Sequence, residues 1–139
     1  MNAPVPLGEY SWLSEAFPLC TVNVPVAELA QRFGIAVANW QEPGLGSASG
    51  FGCRLTSGLV LLLEELSHAR EHLGAAGPTI YVEATALLEQ GIEATLAGTL
   101  TGLHLSPQNI VWSQTESGLQ SARNIVQALN ERPVGHNGA

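Results

Sequence analysis

The chain contains no lysine and no aspartate. Its five basic residues are all arginines (Arg32, Arg54, Arg70, Arg123 and Arg132), and its twelve carboxylates are all glutamates. These absences exclude whole chemistries. A Walker-type phosphate loop and a Schiff base need lysine, while an EF-hand calcium loop and a Ser-His-Asp triad need aspartate. Missing lysine alongside abundant Ala, Gly and Leu is the coding bias of a GC-rich genome and points to a bacterial source. Only two cysteines are present, Cys20 and Cys53, each inside an apolar run. They are expected to be small buried hydrophobes, with no disulfide needed in a reducing compartment. No apolar run reaches 18 residues, so no membrane span is expected. The first 17 residues lack a basic, then continuously apolar, leader pattern, so the expected location is cytoplasmic.

With 139 residues, 45% of them hydrophobic and 12% charged, the chain suits a single globular domain over residues 1–139, irregular or frayed at 1–9 and 133–139. The net charge of −7 argues against nucleic acid, because phosphate binding gains from counterion release only when cations replace the counterions. An acidic surface suits solubility or a basic protein partner.

Periodicity places the elements. Phe51, Cys53 and Leu55 alternate with Gly52, Arg54 and Thr56, the pattern of a strand with one buried face. Leu59–Leu63 is apolar throughout, as in a strand covered on both faces, and Thr56-Ser57-Gly58 forms the turn between them. Thr79–Glu83 alternates again, and Arg54 and Glu83 are expected to face each other on the polar side of the sheet. Leu19–Val24, Ile35–Trp40 and Ile110–Trp112 read as further strands. Helices are expected at Val26–Phe33, entered from Pro25 and stopped by Gly34, and over Ala84–Leu103 with a break at Gly91. In the latter, Ile92, Leu96, Leu100 and Leu103 share a face, and Gly98 and Gly102 suggest close approach to the sheet. The last helix spans about Glu116–Arg132. The segment Gly44–Gly50 is rich in Gly and Ser and reads as a hairpin loop, and Glu64–Leu73 reads as a helix or helical turn. This order predicts an α+β fold: one mixed, mainly antiparallel sheet with about three to four helices packed on one face.

Few residue clusters carry chemistry. His68-x-x-Glu71-His72 matches the H-x-x-E-H order of inverzincin metalloproteases, in which two imidazoles one helical turn apart bind zinc and the glutamate acts as base. The match covers five residues, and a third ligand (Glu89 or Glu93) is merely available. Adjacent Glu64 and Glu65 do not face each other across a cleft, as glycosidase carboxylates must. His104 and His136 read as surface residues. Trp12, Trp40 and Trp112 read as core or rim aromatics, although an exposed one would serve as a binding anchor.

The expectation is therefore a non-enzymatic protein-binding module, an immunity or antitoxin-type inhibitor of a basic toxin, with no cofactor. Its expected contact residues are Glu64, Glu65, Glu71, Gly44, Gly46 and Gly50. The competing readings are a small metal-dependent hydrolase using His68, Glu71 and His72, and a scaffold protein that forms a homodimer through a sheet edge.

Overall fold

A computed structural model describes residues 2–5, 16–42, 44, 46–67 and 77–131. In chain order the described elements are β1 (Ala3–Val5), β2 (Ala16–Val22), α1 (Val26–Phe33), β3 (Ala38–Glu42), β4 (Gly46–Arg54), β5 (Val60–Leu66) and β6 (Thr79–Glu83). They continue with α2 (Ala84–Gln90), α3 (Ile92–Gly102), β7 (Ile110–Ser113) and α4 (Leu119–Glu131), with single 3-10 turns before β7 and α4. The strands form one seven-stranded sheet in the order β1-β4-β5-β6-β2-β7. Strand β3 pairs with the first half of β4 and β1 with its second half, so both lie along the same side of β4. Every pairing is antiparallel. The fold is α+β, as the sequence predicts.

The central hairpin sits where alternation places it. Phe51 pairs with Leu63 and Cys53 with Leu61, and the turn closes with Leu55 N–H donating to the Leu59 carbonyl (2.8 Å). These side chains share a core with Ile80 and Val82 of β6 and Phe17, Leu19 and Cys20 of β2. All four helices add to it: Val26 and Leu29 from α1, Leu87 from α2, Ile92 from α3, Leu119 and Ala122 from α4. Helices therefore cover one face of the sheet. On the other face Val5 and Val60 form a smaller buried cluster, with Ala16 and Leu62 packed against it.

Helix α1 ends as predicted, with Gly34 in the left-handed region (φ 66°). Gly91 separates α2 from α3, also as predicted. The stripe predicted for α3 does face the core, with Ile92, Leu100 and Leu103 buried and Leu96 packed against it, and two threonines join it. Thr95 and Thr99 are fully buried beside Ile92 and Leu100, while Leu96 is half-buried. The Thr95 hydroxyl donates to the Gly91 carbonyl (2.7 Å), which removes the cost of burying it. The Thr99 hydroxyl has no hydrogen-bond partner among the described residues. Close approach holds at Gly102, where a β-carbon would sit 2.6 Å from Leu55 Cδ1, but not at Gly98, where it would meet nothing within 4 Å.

Three expectations are corrected. Residues 46–50 are strand, not loop: they pair with β3 from Ala38↔Gly50 to Glu42↔Gly46. Their small side chains reflect packing, since the Trp40 indole lies over Gly50 on the face away from the helices. Glu64–Leu66 completes β5 and is not the start of a helix. Arg54 and Glu83 are not cross-strand neighbours, because β5 lies between their strands.

Candidate functional site

The predicted contact residues separate in the fold. Glu64 and Glu65 are consecutive on β5 and therefore point to opposite faces. Glu65 turns to the helical side, where its Oε1 accepts a hydrogen bond from the Val26 N–H (3.0 Å). That N–H is one of the four at the start of α1 that have no partner within the helix. The carboxylate satisfies it and complements the positive end of the helix dipole. Glu65 is thus a structural tie between residues 39 apart.

Glu64 lies on the opposite face, where the Tyr81 hydroxyl approaches its Oε1 at 3.5 Å. Gly50 is its neighbour on β4 and is buried within the sheet. Gly44 and Gly46 flank the β3–β4 connection, both with positive φ (79° and 89°) that glycine adopts without strain. They shape the turn, 46 being the first residue of β4. His68, Glu71 and His72 lie outside the described residues. Among those described, no group of three or more metal-ligating side chains is assembled.

The register brings other residues together. Ala38, Gly50, Glu64, Thr79, Thr21 and Trp112 pair in succession across β3, β4, β5, β6, β2 and β7. They form one transverse row on the face away from the helices. A hydrogen bond between the Thr21 and Thr79 hydroxyls (3.0 Å) runs along it. With strands spaced roughly 4.8 Å apart, Glu64 and Trp112 lie about 14 Å from each other. Thr21, Glu64, Thr79 and Tyr81 are all half-buried, so the face is partly open to solvent.

Among the described residues, the row ends on β7, the outermost strand of the sheet. There Trp112 is 44% exposed and Val111 54%, the most exposed large hydrophobic residues among those described. Edge strands present unpaired N–H and C=O groups and are usually guarded by charge, proline or a bulge. Strand β7 carries no charged residue, and its guard is its length of four residues. The sequence marks Trp112 as an anchor should it be exposed. That β7 is an edge has no local signal, because strand order depends on pairings made far along the chain.

Both cysteines are buried thiols, each pushed up to about 12 from 9.0 by burial. Strands β5 and β6 separate their strands, which puts them on the order of 14 Å apart, beyond disulfide reach. They are the small core hydrophobes that the sequence implies. No family model, curated protein or solved structure matches the chain.

Proposed function

We propose that this chain is a small acidic protein-binding module, of the immunity or antitoxin type, that receives a basic protein on its β7 edge and the adjoining sheet face. The observation that carries the reading is the exposure of Val111 and Trp112 on an edge strand. An edge strand offers main-chain hydrogen bonds to an added strand, and tryptophan is enriched among the residues that carry binding energy at interfaces. The charge of −7 selects a basic partner and speeds encounter with it. It also disfavours a second copy of the chain on the same edge, since both copies carry that charge. Glu64 lies on the row that leads to Trp112 and is the acidic contact this reading retains. The metal-hydrolase reading rests on residues outside those described, and no observation favours it.

The test is a photo-crosslinking amino acid in place of Val111, irradiated in a lysate of the source cells, with the adduct identified by mass spectrometry. The expected adduct is a basic protein whose reconstituted association slows as salt rises. Glu64→Gln should slow that association roughly twofold at low salt, and Trp112→Ala should weaken the complex by about 2 kcal/mol or more. An adduct only with a second copy, or association indifferent to both salt and Glu64→Gln, would overturn the reading.

A further inference from the structure

The C-terminal ends of α1 and α3 meet the β4–β5 turn around a cleft of about 620 Å³, within the range of small-molecule sites. Asn2, Arg32, Phe33, Thr56, Thr101 and His104 line it. Among the described residues, the cleft wall holds an arginine, a histidine and two hydroxyls, and the nearest carboxylate partner of that arginine is Glu28, one turn back on α1. The Arg32 guanidinium gives one N–H to Glu28 Oε2 (2.7 Å) and one to the His104 carbonyl (3.3 Å). A guanidinium has five N–H donors, so three are left unused by the described residues.

His104 is the second observation. It closes α3 in a Schellman arrangement, with its own N–H donating to the Thr101 carbonyl (3.2 Å) and the Leu105 N–H to the Leu100 carbonyl (2.8 Å). Its φ of 59° makes it the one described non-glycine residue in the left-handed region. Glycine fills this capping position without strain, whereas a residue with a β-carbon is strained there. The chain instead sets an imidazole there, edge-on to the Phe33 ring with centroids 5.5 Å apart. The two rings form an aromatic wall beside the arginine.

We propose that this cleft binds a small organic acid, a carboxylate borne on a planar ring. The carboxylate pairs with Arg32 and accepts from Thr56 and Thr101, and the ring packs against Phe33 and His104. The site is independent of the β7 edge.

Sodium benzoate is the probe, titrated into the full chain while backbone amide shifts are followed by NMR. Saturable shifts are expected at Phe33, Thr101, His104 and Leu105, with neutral benzamide and inorganic phosphate giving none. Arg32→Gln should weaken benzoate about tenfold, in line with the loss of a charged hydrogen bond, and Thr101→Val should weaken it less. His104→Gly separates binding from folding: it suits the cap, so the melting temperature should hold or rise while benzoate binding weakens at least threefold. No saturation by benzoate, equal shifts with benzamide, phosphate binding in its place, or unchanged affinity in Arg32→Gln and His104→Gly would each overturn the proposal.

Discussion

A β-carbon at Gly50 would collide with the carbonyl oxygen of Leu63, whereas at Gly98 it would meet nothing within 4 Å. Gly98 lies in the exposed interior of α3, where glycine carries the entropic cost of an unrestricted backbone. Gly98→Ala should therefore raise stability by about 0.5–1 kcal/mol, read as a higher urea midpoint at constant slope. Gly50→Ala should lower stability by about 1–3 kcal/mol, because the obstacle is backbone of the neighbouring strand and cannot rotate away. Equal effects at the two positions would contradict this geometry. Composition draws no such distinction. What separates them is a carbonyl on β5 and the indole of Trp40, both of which arrive only with the sheet.

At the scale of the element, α1 shows how much of a helix is written locally. The Val26–Leu29–Ala30 face, the entry from Pro25 and the left-handed Gly34 are all legible in eight residues and their flanks. The carboxylate that satisfies its first N–H comes from a strand far along the chain. Glu65→Ala should cost about 1 kcal/mol, the usual loss when a helix N-terminus is deprived of its acceptor, and should speed hydrogen exchange at the start of α1. Glu64→Ala, which removes no helix-terminal acceptor, should leave hydrogen exchange at the start of α1 unchanged. If the two substitutions speed that exchange alike, the tie to Val26 is not what holds Glu65. The end of strand β5 runs against local preference for a related reason. Two glutamates suit the first turn of a helix, so local preference favours one, yet pairing of β4 with β5 through Ala48↔Leu66 extends the strand past both.

For the whole molecule, the two buried thiols set an alkaline limit. Burial raises Cys20 and Cys53 from 9.0 to about 12, so the folded state keeps their protons to higher pH than the unfolded chain does. Stability from this source is intact below pH 9 and falls as pH rises from 9 toward about 12. The drop in melting temperature between pH 8 and pH 10.5 should be smaller in a Cys20→Val, Cys53→Ala variant than in the wild type. Both native thiols should also resist a disulfide reagent at pH 8 until urea unfolds the chain. A rapid reaction in the folded state would place at least one of them at the surface.

The class of fold, the central hairpin, the break at Gly91 and the burial of both cysteines are legible in the residues alone. Each follows from short-range pattern: alternation, an uninterrupted apolar run, or a glycine where the backbone must turn left. For the three tryptophans the sequence offers only core or rim, with an anchor's role for whichever is exposed. That Trp112 stands on an edge while Trp40 covers Gly50, that Glu64 and Glu65 serve opposite faces, and that Arg32 and His104 share a cleft emerges only once sheet and helices are assembled. The reason is physical. An edge, a cross-sheet row and a cleft are relations between segments tens of residues apart, and their free energy appears only when the strands pair.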